Sequence, residues 1–197
     1  MSYEMNDHDE MFKAGRTLGI DHLKFGMWLF LGSEVMFFGG LIAAFLHYKI
    51  NNPTPEAGLL DVGLVGINTF ILLASSLTVV SALAAIQRGD TAGMNLYLLA
   101  TIGLGVAFLS GQGYEFVSLF REGLTLSSSV FGSSFFTLTG FHGLHVLVGV
   151  LWAFSTFLRG MRGSYTRHDY VGVELFGLYW HFVDVVWIVL FTVIYLI

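Results

Sequence analysis

Residues 25–46 read FGMWLFLGSEVMFFGGLIAAFL, an apolar run in which Glu34 is the sole charged side chain. A helix rises about 1.5 Å per residue and a bilayer core is about 30 Å thick, so roughly 20 such residues cross it. Four more stretches meet the same requirement: Val62–Ile86, Thr91–Phe120, Val130–Leu158 and Leu175–Ile197, whose only charged residues are Glu115 and Asp184. Backbone groups in hydrocarbon must be satisfied within the segment, which at these lengths favours helices over the alternating strands of a barrel. The predicted fold is all-α, an integral membrane bundle of five transmembrane helices over residues 24–197, preceded by a polar tail over residues 1–23.

Composition agrees. Of 197 residues, 55% are hydrophobic and 12% charged, against about 25% charged in an ordinary soluble domain. The charges collect in short segments between the apolar runs, which marks those segments as loops. The net charge of −5, with no dense Lys/Arg segment, excludes a nucleic-acid partner, because neutralising phosphates needs clustered cations. The chain has no cysteine, so disulfides, iron–sulfur clusters and a thiolate-bridged copper centre are chemically impossible on it. Glu4, Asp7, Asp9 and Glu10 replace the cationic start and apolar core of a cleaved signal. The tail is expected to be cytoplasmic.

The linkers are short. Asn51-Asn52-Pro53-Thr54-Pro55 turns the chain after the first span, and Gln87-Arg88-Gly89-Asp90 forms a tight hairpin after the second, so consecutive spans are expected to run antiparallel. Lys13, Arg16, Lys24, Arg88, Arg159, Arg162 and Arg167 fall on one side, with Lys49 and Arg121 on the other. That asymmetry predicts a cytoplasmic amino terminus and a carboxyl terminus on the outer face.

Of the 24 glycines, pairs such as Gly39/Gly40 and Gly103/Gly105 are expected to let helices approach closely where no hydrophobic force drives them together. The 19 Phe supply packing and lipid-facing surface. Trp180 and Trp187 are seven apart on one face, turned either into the bundle or toward a partner.

An ionisable side chain deep in a membrane helix costs at least about 2.5–3.5 kcal/mol on insertion scales and calls for a reason. Glu34 lies ten residues past Lys24, near the bilayer midplane, and must be neutral or paired, bonded to Ser33 or to a neighbouring helix. Its candidate roles are structural hydrogen bonding and proton handling. In the fourth span His142 and His145 are three apart, on one helical face. In the fifth, His181 and Asp184 repeat the spacing, with Glu174 one heptad before His181. These five are expected to converge on one interhelical network, extended by Asn68 and Thr69 in the second span and Gln112, Tyr114 and Glu115 late in the third. Three imidazoles and a carboxylate are also a legitimate ligand set for Zn, Cu or Fe. No span has the Glu-x-x-His spacing of di-iron bundles, and the reading preferred here is no metal, with His-to-Asp or His-to-backbone ties between the fourth and fifth helices.

The blocks Gly26-Met27-Trp28-Leu29-Phe30-Leu31 with Ser33-Glu34 and Phe37-Phe38, Asn68-Thr69 with Leu73-Ala74-Ser75, Gln112 with Tyr114-Glu115, Thr139-Gly140-Phe141-His142-Gly143-Leu144-His145-Val146, and Tyr179-Trp180-His181-Phe182-Val183-Asp184-Val185-Val186-Trp187 occur in an order that resembles subunit III of the haem–copper oxidases. The resemblance runs over nearly the whole chain. It implies that Glu34 is the buried carboxyl of the family's first common helix, proton-related or lipid-contacting, and that His142, His145, Glu174, His181 and Asp184 form an interhelical polar core. It further implies no cofactor on this chain, with haem and copper on partner subunits and phospholipid as a possible bound molecule. The partners implied are the catalytic subunit I, then subunit II and small subunits. The resemblance also implies an accessory role supporting proton uptake and the durability of the oxygen-reducing site.

The chain starts where the third helix of the longer seven-helix form would start, the arrangement expected of a five-helix version in a bacterial plasma membrane. Competing classes are a freestanding transporter relaying protons through the same acids and histidines, an intramembrane metalloenzyme on His142, His145 and His181, and an accessory chain of a quinol oxidase or nitric oxide reductase.

Overall fold

The computed structural model describes residues 22–52 and 55–197. It contains α1 (His22–Asn51), a short 3-10 turn (Pro55–Leu59), α2 (Val62–Gln87), α3 (Thr91–Arg121), α4 (Val130–Met161) and α5 (Val171–Phe191), which runs on into a π-helical turn (Thr192–Leu196). Each of the five helices is long and apolar enough to cross a membrane. Among the described residues the only β pairing is a single bridge between Thr166 and Asp169. The all-α reading and the number of spans are as predicted.

Helix ends are set by local chemistry. The side chains of Asp61, Asp90 and Ser129 accept from the backbone N–H of Leu64 (3.0 Å), Gly93 (2.8 Å) and Gly132 (3.0 Å), starting α2, α3 and α4; each satisfies an amide that has no partner in the first turn. α2 stops at Gly89, whose φ of +83° is open to glycine at little cost. There the Gly89 and Asp90 amides fold back on the carbonyls of Ile86 (2.8 Å) and Ala85 (3.0 Å). Gly123 and Gly163 close α3 and α4 in the same manner.

The helices outrun the expected spans at several ends, α1 running on to Asn51 and α4 to Met161. α1 already includes His22 and Leu23, so the helix begins inside the stretch assigned to the tail; residues 1–21 of that stretch lie outside the described residues. α5 begins four residues early, at Val171, and its first turn carries Glu174.

α2 and α3 form the tightest antiparallel pair, α3 also packs on α4, and α5 is held between α2 and α4. α1 packs on α4 and α5, its far end fixed by Lys49, whose Nζ donates to the carbonyls of Val193 (3.2 Å) and Ile194 (3.1 Å) in the π turn. The core is aromatic. Trp180 and Trp187 are both turned inward, each 1% exposed. Their indole N–H groups donate to α2, Trp180 to Ser75 Oγ and Trp187 to Thr69 Oγ1, both at 2.9 Å.

The Trp180 ring occupies a slot between α3 and α4 that only small residues leave open. A Cβ on Gly105 would lie 2.9 Å from its Cη2 and 2.7 Å from Val150 Cγ2, and one on Gly149 would lie 2.7 Å from its Cζ3. Gly105 thus has the close-packing role expected of it. Gly39, Gly40 and Gly103 do not, since nothing lies within 4 Å of a Cβ built on any of them; they sit on outward faces of α1 and α3, where helix rotation leaves them without a neighbour.

Candidate functional site

Near the middle of α1, Glu34 reaches across to α4, its Oε2 3.2 Å from His145 Nε2. The other ring nitrogen of His145, Nδ1, faces the Phe141 carbonyl at 2.7 Å. A carbonyl can only accept, so Nδ1 carries the hydrogen. The Glu34–His145 contact then shares one proton: either a neutral acid donates to Nε2, or an imidazolium donates to a carboxylate. Phe38 meets the imidazole edge-on at 5.0 Å between ring centres, and the Tyr179 hydroxyl donates to the His145 carbonyl at 3.0 Å. Beside the pair runs a groove of about 320 Å³, walled by Phe30, Leu144, Val148, Trp152 and Tyr179. A carboxyl–imidazole pair in an apolar groove at this depth can hold a proton and exchange it between two states with little movement of heavy atoms.

The remaining expected residues do not converge on one network. His142 is fully buried, its Nε2 donating to the Val183 carbonyl at 3.2 Å and its ring against Trp187, 4.7 Å between centres. Positions three apart on a helix differ by about 60° in direction, so His142 turns to the core while His145 turns to α1. His181 Nδ1 pairs with Ser76 Oγ of α2 at 2.6 Å. Asp184 is buried beside the Ser76 hydroxyl of α2, and His142 Nδ1 has no hydrogen-bond partner among the described residues. Glu174 is not part of this cluster: it pairs with Lys24 of α1 at 2.8 Å. Two helical turns, about 10 Å along the axis, separate Glu174 from His181 and rule out direct contact.

Among the extending residues, Asn68 Nδ2 donates to the Phe108 carbonyl (3.0 Å) and Gln112 Nε2 to the Thr139 carbonyl (2.7 Å). Thr69 Oγ1 donates to Val65 O (2.8 Å) while accepting from Trp187, and Glu115 Oε1 accepts from Tyr195 OH (2.8 Å). These are separate ties between pairs of helices or within one. Tyr114 faces outward, 65% exposed, because one residue along a helix turns the side chain by about 100° and Glu115 takes the inward position. Ser76, Tyr179, Tyr195 and Lys49 were absent from the expected site; a single hydroxyl or amine carries no periodic signal that names its partner. No group of three or more His, Asp or Glu among the described residues could hold a metal ion.

Five helices long and apolar enough to cross a membrane, with acids and imidazoles in the interior of the bundle, define an integral membrane protein. The family model for Cytochrome c oxidase subunit III matches residues 8–197, and the chain belongs to that family. It is 44% identical over 179 residues to the cytochrome c oxidase subunit 3 of Synechocystis sp., covering 87% of this chain and 74% of that protein. With the subunit 3 of Bacillus subtilis it shares 41% over 174 residues, 87% of this chain and 84% of the relative. The elephant Loxodonta africana has a subunit 3 that is 40% identical over 187 residues, 89% of this chain and 69% of its own length. The chain is a multi-pass bacterial membrane protein and a subunit of an oxidase complex of the cytochrome c oxidase type, so other oxidase subunits are its partners.

Proposed function

We propose that this chain is the accessory subunit of a proton-pumping terminal oxidase, supporting proton uptake and the stability of a catalytic subunit I that reduces oxygen to water. Haem and copper belong to the partner chains, and this chain holds neither. Its amino terminus is cytoplasmic, as the distribution of Lys and Arg supports. Subunit II and small subunits complete the complex, and lipid acyl chains occupy the groove beside Glu34.

The observation that carries the reading is the Glu34–His145 contact, 3.2 Å long and bordered by an apolar groove. Ionisable side chains at such depth are costly, pair with one another, and mark proton paths by default. The ties of Asn68, Thr69, Gln112, Glu115, His142, Glu174 and His181 have the structural part, keeping α1 to α5 in fixed register so that the pair is held.

The test is Glu34→Gln in the whole complex. The variant keeps a hydrogen-bonding side chain of the same size but removes the exchangeable acid. Subunit retention and haem content are expected to be unchanged, while the rate of proton uptake during turnover falls several-fold. Loss of the subunit from the purified complex would make Glu34 architectural. An unchanged uptake rate would remove its proton role. Purification of the chain free of haem-bearing partners, with transport activity of its own, would favour the transporter class.

A further inference from the structure

Tyr179 of α5 is buried, 2% exposed, and stands beside the Glu34–His145 pair. Its hydroxyl has a single hydrogen, and that hydrogen goes to the backbone carbonyl of His145 at 3.0 Å. In the helix that runs through His145 this carbonyl already accepts the Gly149 amide, and its second lone pair takes the tyrosine. The bond is therefore surplus to the helix. The ring is placed by two other helices. It lies along α4 over Gly149, where a Cβ would come within 3.3 Å of Cε1, and beside Trp152, 5.4 Å between ring centres. It also stacks with Phe30 of α1, 6.3 Å between centres and 25° between planes.

Spacing makes these contacts bear on the pair. Phe30 and Glu34 are four apart, hence neighbours on one face of α1, and His145 and Gly149 stand in the same relation on α4. One side chain of α5 thus rests within a turn of the acid on one helix and of the imidazole on the other. Phe38, one turn past Glu34, packs on the imidazole, so Phe30 and Phe38 bracket the pair along α1. The contact itself, 3.2 Å from Oε2 to Nε2, is at the long end of the range of about 2.7–3.2 Å for such bonds. A small displacement of either helix would take it out of the reach over which a proton is shared. Stability does not call for the hydroxyl: phenylalanine would fill the same space, and a carbonyl that keeps its helical bond loses little with the second donor.

We propose that Tyr179 is the positioning residue of the Glu34–His145 pair: its hydroxyl fixes the backbone that carries the imidazole, its ring seats the turn of α1 that carries the acid, and α5 thereby sets the distance over which the proton is shared. The geometry stands by itself, while its use in proton uptake rests on the role proposed for Glu34 above. Tyr179 takes no part in the transfer. It acts through His145 and Phe30, on two helices that approach each other at the groove it helps to line.

The test uses the intact complex, in which the infrared bands of Glu34 are identified by their loss in Glu34→Gln. In Tyr179→Phe the chain is expected to stay in the complex with full haem content, while those bands shift and proton uptake during turnover falls several-fold. Tyr179→Leu, which also loses the stack on Phe30, is expected to shift them further. Tyr114→Phe, on an outward side chain that is 65% exposed, is the control and is expected to move neither bands nor uptake. Unchanged Glu34 bands in Tyr179→Phe would overturn the inference, since the hydroxyl would then not set the pair. Loss of the chain from the Tyr179→Phe complex would overturn it too, by making the hydroxyl architectural. Shifted bands with an uptake rate that neither Tyr179→Phe nor Glu34→Gln lowers would uphold the positioning of the pair by Tyr179 and remove the proton role proposed for Glu34.

Discussion

α1 and α5 are both apolar enough to span a membrane, yet 17% of the apolar window in α1 is buried in the bundle against 56% in α5. What separates them is where each puts its large polar-tipped side chains. α5 aims Trp180 and Trp187 inward, and each indole N–H finds a hydroxyl on α2. The outward side of α1 carries Trp28, Val35 and Met36, all exposed, beside the open Gly32, Gly39 and Gly40. Hydropathy selects segments for the bilayer; it is blind to which of them becomes the axis of the bundle. That depends on aromatic volume meeting a small-residue slot at the same depth.

The largest expected effect is at the axis. Trp180→Ala removes a ring that is almost wholly buried and leaves Ser75 Oγ without its donor, at a cost of about 3–5 kcal/mol. Thermal unfolding of the detergent-solubilised complex, followed by loss of this chain, is expected to move to markedly lower temperature. A change comparable to that of Trp28→Ala on the exposed side of α1 would erase the contrast between the helices.

Filling the slot from the other side comes next. Gly105→Ala and Gly149→Ala each place a methyl within 3 Å of the Trp180 ring, an overpacking worth about 1–3 kcal/mol. Gly39→Ala, with nothing within 4 Å, is expected to stay within about 0.5 kcal/mol of the parent in the same melt. Equal melts for the three variants would mean that the slot relaxes freely.

The smallest effect sharpens how α1 is attached. Lys24 and Glu174 form a partly exposed pair at 2.8 Å, and such pairs contribute about 0.2–1 kcal/mol. A double-mutant cycle with Lys24→Met and Glu174→Gln is expected to return a coupling in that range, falling as salt rises. Zero coupling would place the hold on α1 in the Lys49 contacts and the aromatic packing alone.

The five spans were legible because the demand for apolar residues in hydrocarbon acts on each position separately, so the pattern survives without knowledge of neighbours. The identity of the buried polar residues was legible for the same reason: Glu34, His142 and Asp184 stand out wherever the helix happens to pack. Their pairings were not. Whether His145 meets Glu34 or His181 depends on the rotation of α4, and a difference of about 60° between positions three apart decides it. Glu174 was grouped with His181 by heptad spacing, while its partner Lys24 lies 150 positions earlier at the start of α1, a contact that no periodicity encodes. The glycines divide likewise: Gly103 and Gly105 look equivalent in sequence, and only the second faces Trp180.

α1 rests on α4 and α5, and the amine of Lys49 grips carbonyls of Val193 and Ile194 at the far end of the chain. Of the five helices, α1 is made before either of the two on which it docks. While α2 and α3 close into a hairpin, α1 waits alone in the bilayer with Glu34 lacking its imidazole. The clasp that Lys49 makes can close only once Val193 and Ile194 have been synthesised.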